Sequence, residues 1–581
     1  MKMGSSNSGR FRRPAAVVAF ALTCAVTSLL FVSAAQADGT WGTAVEVPGF
    51  ASVSTGAGAV VNTISCSSDG NCGAIGEYTD ASNYTQAYVA NETNGNWGNA
   101  IEVPGIAALN WGGAVADLLV ISCASTGNCS AGGTYTDLAK NTQAFVVNET
   151  NGMWGTAIEV PGYAALNSGG TNSQLYALSC SSPGNCAAGG AYQDTSTHLQ
   201  SFVVNETNGT WGTAIEVPGT AALNADGGAI MTSIACSSTG NCAGAGVYAD
   251  SSANIQTYVV NETNGTWGTA VEMPGLAALN SGGYGLPVQI SCSSAGNCGV
   301  GGSYTDSSNN TQAFVENETN GTWGGAIEIP GTVQLNAGGA AIVFSIDCNS
   351  SGGCSAGGYY TDSSNNDQAF VENETSGIWG TAVEVSGTAA LNIGGSAGVL
   401  ALACGSVGNC SAGGNYTDSL GNSQGFVVNE TDGTWGVATE IAGLGTLNAG
   451  QDASVSGISC NVDGSCSAGG YYTDVSTNPQ GFFVSAVADI FVPGSPSIKA
   501  TSPSKGVVAV SVTGAGANGG SPITGYQYSL NGKAWKNAPS GASRTVRLSH
   551  LAPGRIYHVK LRARNAIGTG ASSRTKSVKV K

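Results

Sequence analysis

The chain has 581 residues, which is longer than one ordinary domain. Of these residues 42% are hydrophobic and only 9% are charged, a composition that excludes a disordered polyelectrolyte. Residues 38–490 hold all 36 acidic residues and a single basic one, Lys140, whereas residues 491–581 hold 14 basic and no acidic residues. The acidic part therefore excludes nucleic acid and anionic membranes as its partners, and the basic part favours polyanions.

The first 37 residues predict a secretory signal peptide. Basic residues precede an apolar stretch at 15–32, and Ala35-Gln36-Ala37 has the small-x-small pattern of a cleavage site. The alternative is an uncleaved membrane anchor, because 18 apolar residues are nearly enough to span a bilayer. We expect cleavage after Ala37. The mature chain is then secreted, extracellular or associated with the cell wall, and has no membrane span.

Residues 38–490 contain eight repeats of 56 or 57 residues, and each repeat begins with a Trp-Gly or similar strand start. A fixed period of this size is typical of arrays or closed rings of small units that bury their apolar faces against each other. The tryptophans are Trp41, Trp97, Trp154, Trp211, Trp267, Trp323, Trp379 and Trp435.

Each repeat predicts four short antiparallel strands, which we call the first to the fourth strand. In the first strand, Trp211, Thr213, Ile215 and Val217 are expected on one face, and a loop without helix follows it. Asn-Gly or a related pair then connects the fourth strand to the next Trp as a hairpin. In the fourth repeat the strands are predicted at 211–217, 230–236, 242–248 and 256–260.

Four-stranded units without helices favour an all-β protein in which the repeats form an eight-bladed β-propeller. An open stack of small sheets is the alternative. The first strand at Trp41–Val47 has no preceding partner, and the last fourth strand, Gln480–Val484, has no following one. We therefore predict that these two strands pair, which would close the ring and remove two exposed edges.

Sixteen of the 17 cysteines form a C-x5-C pair in each repeat, with turn residues between them. Even parity, short spacing and an oxidising destination predict local disulfides. Zinc is the alternative, but two cysteines without nearby histidines leave each site two ligands short. The expected pairs are Cys66–Cys72, Cys123–Cys129, Cys180–Cys186, Cys236–Cys242, Cys292–Cys298, Cys348–Cys354, Cys404–Cys410 and Cys460–Cys466.

The repeats resemble the HAF-type extracellular repeats of secreted bacterial proteins. The matching elements are Gly302-Ser303-Tyr304-Thr305-Asp306, Ala313-Phe314-Val315 and Leu279-Asn280-Ser281-Gly282-Gly283. The resemblance covers about 450 residues. It implies an extracellular repeat architecture and assigns no activity, and the cysteine pairs are not part of that pattern.

After a predicted linker at 491–497, residues 498–581 look like a fibronectin type III domain. The matching pieces are Gly519–Tyr526, Trp535, Leu551–Tyr557 and Asn565–Gly568. Leu551 and Tyr557 fall where that family places its buried leucine and its corner tyrosine, on an antiparallel sandwich. Such modules commonly accompany polysaccharide-active domains, which is an expectation about context alone.

The repeats offer few catalytic candidates. We call residues 491–581 the tail. His198 is the only histidine before the tail, in a variable turn, and arginine is absent from residues 38–490. Most carboxylates recur at fixed positions, which indicates a structural role. The Asp-x-Ser-x-Asn turns are expected to be Asx turns rather than calcium loops, and the Asn-Glu-Thr triplets to be silent glycosylation sequons. Glu77, Glu316 and Glu372 depart from their repeat positions and are weak catalytic candidates, and Trp111 is a weak candidate for stacking on a sugar.

These observations favour a secreted, non-enzymatic binding or surface-interaction protein. It is expected to be a monomer without metal or cofactor, and its basic C-terminal part is expected to bind cell-surface glycans or anionic wall polymers. The alternative is a secreted carbohydrate-active hydrolase, a glycosidase, or its accessory subunit.

Overall fold

The computed structural model describes residues 40–581 except 51–53, 55–57, 69, 111–114, 171–172, 351, 462–463, 488–492, 515–522, 540–544 and 566–567. The predicted signal peptide at 1–37 and Trp111 lie outside the described residues. The described chain is all-β, with only one-turn helices between strands. None of its helices is long and apolar enough to cross a membrane.

Each repeat contributes its second, third and fourth strands to one antiparallel sheet, and the first strand of the next repeat completes it. The order in every sheet is second–third–fourth–first, and we number the sheets 1 to 8 by the repeat that supplies the long strands. The second strands are Ala59–Ser68, Ala116–Ser125, Gln174–Ser182, Ile230–Ser238, Gly285–Ser294, Ala341–Cys348, Ala397–Ser406 and Ala453–Cys460. The third strands are Asn71–Thr79, Asn128–Thr136, Asn185–Gln193, Asn241–Ala249, Asn297–Thr305, Cys354–Thr361, Asn409–Thr417 and Cys466–Thr473. The fourth strands are Thr85–Thr93, Thr142–Thr150, Leu199–Thr207, Ile255–Thr263, Thr311–Thr319, Asp367–Thr375, Ser423–Thr431 and Pro479–Val487.

Sheet 8 is completed by the beginning of the repeat region. Trp41 pairs with Ala486 and Val45 pairs with Phe483, which confirms the predicted pairing of the two ends. The second strands of successive sheets contact each other in chain order, and the second strand of sheet 8 contacts that of sheet 1. The series of contacts therefore returns to its starting sheet.

The first strand differs from the prediction, because it is split into two dipeptides. Trp211 and Val217 are buried, but Ile215, which was predicted on their face, is 46% exposed, and Ala214, which is not on that predicted face, is buried. The Ala214 amide donates to the Pro161 carbonyl of the preceding sheet at 2.8 Å instead of pairing within its own sheet. This contact interrupts the alternation of buried and exposed side chains along the strand. The pieces are Thr40–Trp41 and Val45–Glu46, Asn96–Trp97 and Ile101–Glu102, Met153–Trp154 and Ile158–Glu159, Thr210–Trp211 and Ile215–Glu216, Thr266–Trp267 and Val271–Glu272, Thr322–Trp323 and Ile327–Glu328, Ile378–Trp379 and Val383–Glu384, and Thr434–Trp435 and Thr439–Glu440.

The prediction of a helix-free loop after the first strand was also wrong. In sheet 3 the chain reverses at Gly219, which has φ 92°, and forms one turn of helix at Thr220–Leu223. The Thr220 hydroxyl donates to the Val217 carbonyl at 2.8 Å, and alanine and leucine are good helix formers. The described helices are Ile106–Leu109, Tyr163–Leu166, Thr220–Leu223, Leu276–Leu279, Thr332–Leu335, Thr388–Leu391 and Leu444–Leu447.

A β-bulge in the second strand explains one invariant glycine of the third strand. In sheet 6 the register shifts between Val343 and Ser345, which brings the Ile342 carbonyl over Gly358. A Cβ atom on Gly358 would lie 1.8 Å from that oxygen, so no other residue fits. The same conflict holds at Gly76, Gly133, Gly190, Gly246, Gly302, Gly358, Gly414 and Gly470.

All eight predicted disulfides are present, and each joins directly opposite residues of the second and third strands of one repeat. Cys236, for example, is the register partner of Cys242. Each bridge therefore fixes the hairpin within one sheet, and none joins two repeats.

The tail forms two antiparallel sheets around one core that includes Val510, Val546, Val559 and Leu561. The predicted linker contacts this unit, because Ser495 donates to the Ser572 carbonyl at 2.8 Å. One sheet contains Ser497–Thr501, Val508–Gly514 and Thr545–Leu548. The other contains Gly525–Leu530, Lys536–Asn537, Ile556–Arg564, Thr569–Ser572 and Lys576–Lys579.

Candidate functional site

The glutamate of the first strand accepts a hydrogen bond from a tyrosine of the third strand. In sheet 1 the Tyr78 hydroxyl donates to Glu102 Oε2 at 2.8 Å. Burial, and then this glutamate, raise the pKa of Tyr78 above its ordinary value. The first strand is the edge of its sheet, where a charge discourages pairing with another sheet. The set is Glu46, Glu102, Glu159, Glu216, Glu272, Glu328, Glu384 and Glu440.

The aspartate after the third strand closes an Asx turn, as predicted. Asp362 Oδ1 accepts from the amides of Ser364 and Asn366 at 2.7 and 3.0 Å, and Oδ2 accepts from Gln368 at 3.1 Å. The Asn366 amide bond is the main cause that lowers the pKa of Asp362. Among the described residues no group of three His, Cys, Asp or Glu side chains is placed to hold a metal ion.

The Asn-Glu-Thr triplet joins neighbouring sheets. Between sheets 3 and 4, the Trp267 indole donates to Asn205 Oδ1 at 2.9 Å, and the Asn205 amide donates to Glu262. Glu262 is 4% exposed, and burial raises its pKa while the Asn205 bond opposes that rise. The same indole–asparagine bond occurs at Trp41–Asn429, Trp154–Asn91, Trp211–Asn148, Trp267–Asn205, Trp323–Asn261, Trp379–Asn317 and Trp435–Asn373.

These contacts give the sequon asparagines a structural role. The side-chain oxygen of Asn205 accepts from a tryptophan and its nitrogen donates to a glutamate, so both polar atoms are engaged. A glycan on that nitrogen would break the bond to Glu262 and separate the sheets. The triplet is therefore explained by packing between sheets.

Two of the three catalytic candidates are buried alone in successive sheets. Glu316 and Glu372 are 1% and 2% exposed, and neither carboxyl oxygen of either residue has a hydrogen-bond partner. They occupy the position of Val204 and Val260, and burial raises the pKa of each to about 8. Both are thus neutral at pH 7, and the structure does not bring them together with Glu77.

Glu77 instead faces Asp117 of the next sheet, a residue that the sequence analysis did not single out. Burial, and then the nearby charge and hydrogen bond of Glu77, raise the pKa of Asp117 to about 7. Asp117 could have been found from its column, because other repeats place Val60 or Ile230 there.

The variable turns carry the exposed side chains that differ between repeats. His198 is exposed in its turn, as predicted, with its amide bonded to Asp194 at 3.0 Å. Leu138, Leu420 and Val475 are 71%, 82% and 83% exposed in the equivalent turns. The recurring carboxylates and asparagines form hydrogen bonds within and between sheets, whereas these variable side chains are exposed on the surface.

No family model matches this chain. Curated relatives that match part of it are the cell adhesion molecule DSCAML1 of Gallus gallus, 39% identical over 111 residues, and those of Mus musculus and Homo sapiens, each 35% identical over 111 residues. Each match covers 18% of this chain, and the chain spans 5% of the length of these relatives.

Two solved structures are similar at 10% identity. A protein of unknown function from Dyadobacter fermentans aligns with 57% of this chain and 98% of its own, with a TM-score of 0.32. The microbial sialidase Hz136 aligns with 66% of each chain, with a TM-score of 0.29.

Clefts occur at the junctions between sheets. Those between sheets 2 and 3, 3 and 4, 5 and 6, and 6 and 7 have volumes of about 230, 440, 450 and 630 Å³. Residues of the Asn-Glu-Thr triplets line all four. The largest is also lined by Glu372, Glu384 and Trp435. Their linings mix polar and apolar atoms, and the three larger clefts have a size that accepts a small ligand.

Proposed function

We propose that this protein is a secreted, non-enzymatic binding protein of the cell surface. The observation that carries the proposal is that the recurring polar residues are engaged in hydrogen bonds within and between sheets, as Glu102, Asn205 and Asp362 are. Repetition therefore builds a scaffold, and the side chains left free for partners are the variable ones of the turns. A scaffold that displays variable loops is a common basis of binding.

We infer that the eight sheets are blades of a closed β-propeller. Support comes from the pairing of Trp41 with Ala486 inside one sheet and from the contact between the second strands of sheets 8 and 1. The contact between sheets 8 and 1 also repeats the one found between other sheets. The Cys66 amide donates to Ser459 Oγ at 2.9 Å, just as the Cys236 amide donates to Ser179 Oγ at 3.0 Å. Small-angle scattering of the mature chain tests this inference, because an open stack would scatter as an extended rod.

The tail is best explained as a fibronectin type III domain. Its Tyr557 hydroxyl accepts a hydrogen bond from the Ala552 amide at 3.1 Å, the contact expected of a corner tyrosine. Leu551 packs against the core, as the resemblance implies. Together with the HAF-type repeat motifs, this domain supports an extracellular, wall-associated protein in a bacterium.

Binding and hydrolysis assays on the same material test the proposed function. Purified mature chain should be retained on cell walls or on a glycan array, and should release no sugar from polysaccharides. Retention lost on heating the protein, but kept in the Glu316→Gln and Glu372→Gln variants, would support binding by the folded scaffold. Reproducible turnover that the Glu372→Gln variant abolishes would contradict it.

The alternative is a carbohydrate hydrolase, favoured by one observation. Glu372 lines the largest of the four clefts beside Glu384 and Trp435, and its raised pKa, about 8, suits a general acid. Under this alternative, Glu372→Gln should abolish sugar release while Glu316→Gln, the matched buried glutamate in the preceding sheet, should leave it intact.

A further inference from the structure

The tail presents basic side chains along one face of its longest strand, Ile556–Arg564. Val559, Leu561 and Ala563 point into the core and are fully buried. The alternate residues face away from the core, as strand geometry requires. Three of them, Lys560, Arg562 and Arg564, form what we call the cation row, and His558 precedes them on the same face.

Nothing within the tail compensates this charge. No acidic residue follows position 490, so neither the row nor its neighbours can form an ion pair inside the tail. Lys579 extends the row, because it is the register partner of Ile556 and lies exposed on the same face. Successive members of the row are about 7 Å apart, twice the rise per residue of an antiparallel strand.

The central arginine of the row is held in place. Arg562 donates from Nε and Nη2 to Gln527 Oε1 at 3.0 and 2.8 Å, and its guanidinium carbon lies 4.3 Å from the ring centroid of Trp535. Stacking and a two-point hydrogen bond fix the guanidinium plane before any ligand arrives. The remaining N–H donors of Arg562 are suited to a phosphate.

We propose that the cation row binds a linear polyphosphodiester of the cell surface, in which short polyols separate the phosphates. A row of cations at a regular spacing of about 7 Å along a straight strand matches a flexible polymer with evenly spaced monoanions. This proposal rests on the proposed function, because it requires a protein at the cell surface, and it names the site and the ligand chemistry.

The surroundings of the row disfavour a nucleic acid. Proteins bind single strands by stacking bases on aromatic rings beside a cationic groove. Among the described residues of the tail, Trp535 is covered by Arg562, and Tyr526, Tyr528 and Tyr557 pack with the core rather than with the row.

Binding of poly(glycerol phosphate) to the mature full chain tests the proposal. The row variant is Lys560→Gln, Arg564→Gln and Lys579→Gln, which leaves Arg562 and its packing unchanged. The control carries Lys499→Gln, Lys505→Gln and Arg547→Gln, three exposed residues outside the row, for the same change in charge. Titrations at several salt concentrations give the dissociation constant and its salt dependence, and thermal unfolding checks that both variants are folded.

The row variant should bind at least about tenfold more weakly than the control, and its slope of log affinity against log salt should fall by about two, since each of the three lost phosphate contacts removes about 0.7 for a flexible single strand. Equal affinities of the two variants would overturn the row as the site while leaving surface binding intact. Failure of the unaltered chain to bind both this polymer and cell walls would instead contradict the proposed function. Tighter binding of a single-stranded oligonucleotide or of polygalacturonate would overturn the assigned ligand chemistry.

Discussion

The junction between sheets 3 and 4 and the junction between sheets 8 and 1 use the same positions differently. In the first, Trp267, Asn205 and Glu262 form one hydrogen-bonded chain. In the second, Ser485 replaces the asparagine and donates to Glu92 at 3.2 Å. Trp97 there has no partner for its indole nitrogen, and its ring instead stacks on Phe483 with centroids 3.6 Å apart.

The comparison shows which contacts are present at both junctions and which contact is missing at one of them. Both junctions keep the packing of the tryptophan ring against the core and a hydrogen bond to the buried glutamate, whereas only one keeps the indole hydrogen bond. Phe483, which replaces the valine of other sheets, supplies extra ring contact where that bond is missing. Apolar burial and carboxylate pairing therefore carry the junction.

The largest expected effect comes from the glutamates that break the regular pattern, Glu316 and Glu372. Because the pKa of each in the folded protein is about 8, above the ordinary value of 4.5, the folded state holds a proton that the unfolded state releases between these values. Stability should thus fall as pH rises from about 4.5 to about 8. Each change to Val should raise the free energy of unfolding by roughly 4 kcal/mol at pH 8 and much less at pH 4.

Denaturant unfolding of Glu372→Val and Glu372→Gln at pH 4 and pH 8 measures this effect. The Gln variant is the control, since it removes the titrating group but keeps a buried polar one; it should lose the part of the pH dependence that Glu372 contributes, with a smaller gain in stability. A pH-independent difference between the Val variant and the unaltered protein would contradict the assignment of the effect to ionisation.

The next largest effect should distinguish the two junctions directly. Asn205→Ala leaves both Glu262 and Trp267 buried without their partner and should cost about 3 kcal/mol. Ser485→Ala should cost about 1 kcal/mol, because Glu92 keeps the Ser467 hydroxyl at 3.3 Å. Chemical unfolding of the two variants gives the comparison, and equal losses would show that the junctions are not energetically different.

Disulfide removal should instead affect the two regions equally. Replacing Cys236 and Cys242 by Ser opens one short loop and should cost about 2 kcal/mol by the chain-entropy estimate. The matched change at Cys460 and Cys466 in sheet 8 should cost the same amount, since both bridges span six residues. A markedly larger loss in sheet 8, measured by thermal unfolding, would mean that closure depends on its disulfide.

The smallest effect should come from the indole nitrogens. Trp267→Phe strands Asn205 Oδ1 and should cost about 1.5 kcal/mol beyond the smaller ring, whereas Trp97→Phe removes a nitrogen that has no partner. The two variants compare the hydrogen bond at the regular junction with the stacking of Trp97 on Phe483 at the other. A Trp267→Phe variant as stable as the unaltered protein in chemical unfolding would mean that the indole bond contributes nothing at the regular junction.

The sequence alone determined the repeat period, the all-β class, the local disulfides and the pairing of Trp41–Val47 with the last fourth strand. These features depend on local patterns: cysteine spacing, turn residues and a missing hairpin partner at each end. Likewise, the Asx turns and the exposed position of His198 followed from residues near each other in the chain. The recurring carboxylates were correctly separated from the exceptional ones by their columns.

Only the tertiary structure decided how the sheets meet. The split of the first strand depends on the Pro161 carbonyl of another sheet, and the role of Asn205 depends on residues 57 and 62 positions away. Likewise, Asp117 became a candidate only because Glu77, which lies on the preceding sheet, helps to raise its pKa. Period and alternation describe the geometry within one strand, but hydrogen bonds between sheets form across distances in the sequence that no local pattern records.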